Sequence, residues 1–217
     1  MLFRPSRAPV TTVLLVLITA IFWLEQALGL DLGTRFGNTG AIFRTGEYWR
    51  LVTAMFLHGN TLHWLVNSWS LFQLGSLYET MFGSKRFTAV YFITGICASI
   101  ASVMHIGNNI SVGASGAIFG ILGAFIFSIR RSPRWRHEPW ARSLMGQLVF
   151  WAAANIVLGL QFAVIDNWAH IGGLIAGLLI GLLPHRVPPP PPNQWVIDVR
   201  PQDARSGEDP AARIDGR

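Results

Sequence analysis

"NNISVGASGAIFGILGAF" runs from Asn108 to Phe125, and its second half decides what kind of protein this is. Residues 112–129 carry no charge. Apolar runs of this length read as membrane-spanning helices. Yet near its start stands Ser115, set between Ala114 and Gly116 with no bulky residue beside it. A serine in a membrane helix ordinarily bonds back to its own backbone. A nucleophile needs the same small neighbours, so that other backbone can approach it. The rest of the chain has to choose between the two.

The remainder is built from the same material. The 217 residues are 51% hydrophobic and only 13% charged, against about 25% charged in ordinary soluble domains. Five further apolar segments, at residues 10–30, 62–82, 87–106, 144–164 and 168–183, bring the expected spans to six. The first is too long for the core of a secretory signal and reads as a span. Arg4 and Arg7 precede it, Lys85 and Arg86 separate spans 2 and 3, and Arg130, Arg131, Arg134, Arg136 and Arg142 crowd the link between spans 4 and 5. The links at 107–111 and 165–167 hold no Lys or Arg. Both termini are therefore expected in the cytoplasm. Only the long loop 31–60, with Arg35, Arg44 and Arg50, runs against the trend. This distribution accounts for the net charge of +6 without a nucleic-acid partner. Cys97, the one cysteine, reads as a small buried hydrophobe of span 3. A membrane domain over 1–187 is followed by a proline-rich tail over 188–217, whose composition predicts disorder on the cytoplasmic side.

With the amino terminus inside, spans 2, 4 and 6 all begin at the outer face, and each opens with polar residues. Span 2 carries His63 and Asn67, span 4 carries Ser115, and span 6 carries His170. At 1.5 Å per residue these lie within roughly 10 Å of the helix starts. Polar groups at that depth are costly and by default mark function.

Glycines say which helices touch. His170, Gly173, Gly177 and Gly181 share one face of span 6, and Gly116, Gly120 and Ala124 form a stripe on span 4. Small residues at this spacing let helix backbones approach closely in a membrane. Packing the stripes together brings Ser115 and His170 together, a nucleophile with a base. His63 and Asn67, four residues apart on one face of span 2, are placed to donate hydrogen bonds to a developing oxyanion. Asp166 precedes His170 by four residues but reads as a helix N-cap rather than a third catalytic member.

The ordered set of motifs resembles the rhomboid family of intramembrane serine proteases. The resemblance runs from about Tyr48 to Gly181 and rests on Trp49-Arg50, on His58, His63 and Asn67, on Gly75, Glu79 and Gly83, on Gly113-Ala114-Ser115-Gly116, and on Ala169-His170-Ile171-Gly172-Gly173 with Gly177. It implies a six-transmembrane-helix, all-α bundle with a Ser115–His170 dyad. It also implies an oxyanion hole from His63, Asn67 and the Ser115 amide. Trp49 and Arg50 would then hold the first loop in the outer leaflet, and Glu79 would tie the cytoplasmic helix ends together. Where the family often has a tyrosine that packs on the histidine, this chain has Phe119. The implied substrates are transmembrane helices, cut near the outer face after a small residue, with span 5 and the 165–167 loop moving to admit them. No cofactor is implied, and the expected setting is the lipid bilayer of a bacterial inner membrane.

Three rival readings stand beside this one. A metal hydrolase would use His58, His63, His105 and His170, but no His-Glu-x-x-His pattern occurs and no carboxylate shares the His63 face. A small channel or transporter would ordinarily show internal repeats, which are absent. A catalytically silent rhomboid relative that only binds membrane proteins would lack the serine or the histidine.

Overall fold

The computed structural model describes residues 8–107, 109–133, 135–162 and 165–183. The expected tail over 188–217 lies outside the described residues. Ten α-helices appear among those residues, five of them short or parts of an interrupted helix. Helix α1 is Pro9–Leu28; α2 (Leu32–Phe36), α3 (Ile42–Thr45) and α4 (Arg50–Thr53) form the long first loop. Helices α5 (Thr61–Ser70) and α6 (Ser76–Phe82) are joined by a π-helical turn over Leu71–Gly75. Then follow α7 (Ser84–Val103), α8 (Ser115–Arg131), α9 (Pro139–Gln161) and α10 (Asn167–Leu182). Two strands of two residues, β1 (Asn38–Thr39) and β2 (Ile110–Ser111), pair antiparallel.

Helix boundaries follow local chemistry. Asn60 caps α5 by accepting from the His63 backbone N–H at 2.8 Å, and Asp166 caps α10 by accepting from that of Ala169 at 3.0 Å. Pro139 starts α9, where its missing N–H removes no helical bond. Gly29 ends α1 with a left-handed φ of 62°.

Helix α8 is the axis of the bundle. It is buried nearly all round, from Gly116 through Phe125, as befits a helix enclosed by others. Helices α10 and α7 pack most extensively against it and against each other. Helix α1 buries one stripe only, Thr11, Leu14, Ile18 and Phe22. Helix α9 lies on the rim, with only Ala141, Leu148 and Ala152 buried.

Among the described residues three helices, α1, α7 and α9, are long and apolar enough to cross a membrane on their own. The other expected spans are helical at the expected places but fall short of that length. The π turn divides the 61–82 segment, α8 has 17 residues and α10 has 16. Cys97 departs from expectation: it is exposed on α7. The face that α7 buries is large and mostly apolar near its start (Phe87, Val90 and Tyr91) but small and partly polar through Thr94, Gly95, Ala98, Ser99 and Ser102, the stretch that contains Cys97. Lipid and protein are similarly apolar, so hydrophobicity does not choose the packed face of a membrane helix.

The first loop is organised by Arg50, which is buried. Its guanidinium donates to the Thr34 and Gly37 carbonyls at 2.9 and 3.0 Å and pairs with Glu47 at 3.0 Å. Beside it Trp49 is 53% exposed. At the opposite end of the bundle the Glu79 carboxylate accepts four hydrogen bonds. They come from the Val10 N–H (2.9 Å), the Thr11 N–H and hydroxyl (both 2.7 Å) and the Ser84 hydroxyl (2.7 Å). Helix α1 has no N-cap side chain of its own. Glu79 therefore satisfies its orphan amides from another helix and sets a negative charge at its positive end.

Glu79→Ala should leave these buried donors without a partner. Each hydrogen bond to a charged group is worth about 1.5–3 kcal/mol, so its thermal midpoint in detergent should fall well below that of Glu79→Gln. Equal midpoints for the two variants and the parent would contradict this role.

Candidate active site

Ser115 is the first residue of α8, and the chain before it is tied down on two sides. Asn38 pairs with Ser111 and Thr39 with Ile110. The Gly113 N–H then donates to the Ala54 carbonyl at 2.9 Å. Gly113 has a φ of 127°, a conformation that side chains rarely adopt. The chain therefore turns sharply into α8 and presents Ser115 in its first turn. Backbone amides in that turn have no helical acceptor and point towards whatever lies before the helix.

The α8–α10 contact is backbone on backbone. A Cβ on Gly173 would overlap the Gly116 carbonyl oxygen, and one on Gly177 would overlap that of Gly120. Gly123 is likewise closed by the Leu174 carbonyl, and Gly181 lies over Ala124. The two stripes expected to meet do meet. At the end where both helices begin, His170 is 5% exposed, and its ring stacks on Phe119 with centroids 4.2 Å apart and planes 7° apart. Phe119 lies four residues beyond Ser115, one turn along the same face of α8. A Cβ on Gly116 would lie 3.8 Å from that of Ala169, so the neighbours of Ser115 and His170 are in contact too.

From the other side come His63 and Asn67 of α5. A Cβ on Gly113 would lie 2.7 Å from His63 Nε2 and 3.9 Å from Asn67 Nδ2, so both side chains face the turn that leads into Ser115. Asn67 is buried and donates one amide hydrogen to the His63 carbonyl at 2.9 Å. Its second amide hydrogen remains for another acceptor. His58 packs edge-on against His63 with centroids 5.2 Å apart. Burial, with a smaller contribution from His63, pushes His58 down to about 3. At neutral pH it brings no positive charge to the site.

Asp166 is committed elsewhere. One carboxylate oxygen caps Ala169, and the other accepts from the Ser102 hydroxyl at 2.5 Å. His170 Nδ1 is buried, and among the described residues no hydrogen bond reaches it. Trp49, Arg50 and Glu79 lie outside this cluster, in the first loop and at the far end of the bundle. No group of three or more His, Cys, Asp or Glu among the described residues is arranged to hold a metal ion. His105 instead stacks on Trp168 at 3.6 Å.

Sequence reasoning did not find the parts that hold the site in place. Asn38 donates to the Ser99 carbonyl at 2.9 Å, and Ser99 donates to that of Leu51 at 2.9 Å. With the Ala54 carbonyl, they join the first loop to α7 and to the turn before Ser115. An asparagine set between Gly37 and Gly40 in the first loop was the one visible signal.

Fold and site together define a membrane-type bundle of apolar helices in which the helix that begins at Ser115 and the helix that carries His170 pack through a glycine interface. Residues 45–187 match the Rhomboid domain family, and the chain belongs to that family. It is 34% identical over 142 residues to RHOMBOID-like protein 6, mitochondrial, of Arabidopsis thaliana, covering 65% of this chain and 45% of that protein. It is 34% identical over 180 residues to the rhomboid protease GluP of Bacillus subtilis, covering 81% of this chain and 34% of GluP. YdcA of the same bacterium is 31% identical over 166 residues, covering 76% of this chain and 77% of YdcA. The chain thus spans less than half the length of the first two.

The glycine interface yields a controlled comparison. Gly177→Ala should drive α10 off α8, lowering both thermal stability and reaction of Ser115 with a small serine-directed probe. Gly146→Ala, on the exposed side of α9 with nothing within 4 Å of the added methyl, should be neutral or stabilising by up to about 1 kcal/mol. Equal behaviour of the two variants would show that close approach is not required.

Proposed function

We propose that the protein is an intramembrane serine endopeptidase that cleaves transmembrane helices near the outer face of a bacterial inner membrane. Ser115 is the nucleophile and His170 the general base. His170 takes the proton from Ser115 Oγ as that oxygen attacks the scissile carbonyl. The oxyanion is held by the Ser115 backbone N–H, His63 and the free amide hydrogen of Asn67. Collapse of the tetrahedral intermediate expels the amine, which receives the proton from His170, and water then releases the acyl fragment. The observation that carries this reading is the parallel stack of Phe119 on His170, one helical turn from Ser115. It lays the imidazole over the face of α8 on which Ser115 begins.

Both carboxylate oxygens of Asp166 are in use, which favours a dyad over a triad. The topology proposed is six spans with both termini inside. The helical path from Thr61 to Phe82 is unbroken by loop. The shorter α8 is enclosed by other helices, and α10 packs closely on it. Transmembrane segments reach the site laterally past α9, the least buried of the long helices.

A fluorophosphonate probe tests the reading directly. It should label the parent, and Ser115→Ala should lose both labelling and cleavage of a single-span substrate. His170→Ala should be nearly as damaging, because members of one catalytic unit do not act additively. His63→Ala and Asn67→Ala should each lower turnover by about 10²–10³-fold if each supplies one donor. Labelling that persists in Ser115→Ala would assign the chemistry to another residue.

Asp166 separates a dyad from a triad. Asp166→Asn keeps a capping oxygen, so its rate should stay within about tenfold of the parent, whereas losing a triad carboxylate costs about 10⁴-fold. A loss of the larger size in a folded variant would establish a triad.

A further inference from the structure

Helix α9 has few attachments, and near its outer end one side chain supplies a specific one. Val157, Leu158 and Leu160 are exposed there. Asn167, the first residue of α10, donates through Nδ2 to the Ile156 carbonyl at 3.1 Å. Its amide fills a notch on α9 that exists because residue 159 is glycine. A Cβ on Gly159 would lie 2.6 Å from Asn167 Cγ, and the three heavy atoms nearest to that Cβ all belong to Asn167. The other amide atom, Oδ1, is buried, and among the described residues no hydrogen bond reaches it. Neither feature serves the chemistry of Ser115 and His170.

The start of α10 is held independently on its other side. Ser102 of α7 donates to Asp166, and His105, just beyond α7, stacks on Trp168. Releasing Asn167 from its notch would therefore leave α10 on α7 and let the outer half of α9 swing away. We propose that Asn167, seated against Gly159 and Ile156, is a latch that sets how often a transmembrane segment gains lateral access to the site. Its role in access rests on the proteolytic reading above. A single neutral hydrogen bond has a small net worth, which suits a contact that must open and close.

The test uses the full-length chain and two variants on opposite sides of the contact, Gly159→Ala and Asn167→Ala. Both should raise kcat/KM on a single-span substrate by about two- to tenfold, the shift that one ordinary hydrogen bond supports. Fluorophosphonate labelling of Ser115 should be unchanged, because a small probe needs no lateral opening. Joining the two sites by a disulfide (Gly159→Cys with Asn167→Cys, in a Cys97→Ser background) should abolish cleavage while labelling persists, and reduction should restore it. Cleavage and labelling that fall in parallel would make the contact merely structural and overturn the latch. So would equal cleavage in the oxidised and reduced forms. Spin labels at Leu65 and Leu158 decide the latch apart from catalysis. The α5–α9 distance distribution should broaden in Gly159→Ala, and an unchanged distribution overturns the proposal. A parent that is neither labelled nor active would overturn the proteolytic reading, and the spin-label result would still decide the latch.

Discussion

The rest of the molecule depends on the contact of Gly173 and Gly177 with the carbonyl oxygens of Gly116 and Gly120. Inside a bilayer no hydrophobic effect draws one helix to another, so association relies on close packing and dispersion. Glycine lets α8 and α10 come nearer than any side chain would permit. That nearness sets the stack of His170 on Phe119 and the contact between Gly116 and Ala169. Proton transfer between a serine and a histidine tolerates little displacement, since a misplacement of about 1 Å can cost 10²-fold. Geometry in the membrane core is here a consequence of having no side chains in the way.

Around this axis the bundle is stiff at its centre and loose at its rim. Helices α7, α8 and α10 pack on one another throughout, and polar ties secure both ends. Glu79 gathers the starts of α1 and α7 at one end. At the other, Asn38, Ser99 and the Ala54 carbonyl hold the first loop and the turn before Ser115. Helix α9 is different, with three buried residues and a run of exposed apolar side chains. On the proposed reading, a rigid site beside a loosely held helix lets the chemistry stay fixed while the wall beside it moves to admit a substrate.

Most of the helical plan was legible because it is written in local patterns. Apolar length, capping residues at Asn60 and Asp166, and glycine stripes at helical spacing each leave a mark within a few residues. The packing of α8 on α10 through their glycines and the capping role of Asp166 followed from such marks, whereas the stack of Phe119 on His170 was expected only from the family resemblance. Contacts between segments distant in sequence were not legible. Span 4 was expected from residue 112, but Ile110 and Ser111 pair with β1, and Gly113 leaves helical geometry, so α8 starts at Ser115. Nothing near Leu71 announces a π turn. Arg50 seemed to violate the charge rule of the loops because its carbonyl partners, Thr34 and Gly37, could not be read from the pattern. Cys97 was misjudged because hydropathy does not select the packed face of a helix surrounded by lipid.

The central claim is that one small volume is bounded by Ser115, His170, His63 and Asn67. A crystal structure of the protein after reaction with a phosphonofluoridate tests it most directly. The account predicts phosphorus bonded to Ser115 Oγ. It places the phosphoryl oxygen about 3 Å from the Ser115 N–H and within hydrogen-bond reach of the His63 ring and the Asn67 amide. An adduct on another residue, or a phosphoryl oxygen directed away from α5, would contradict it.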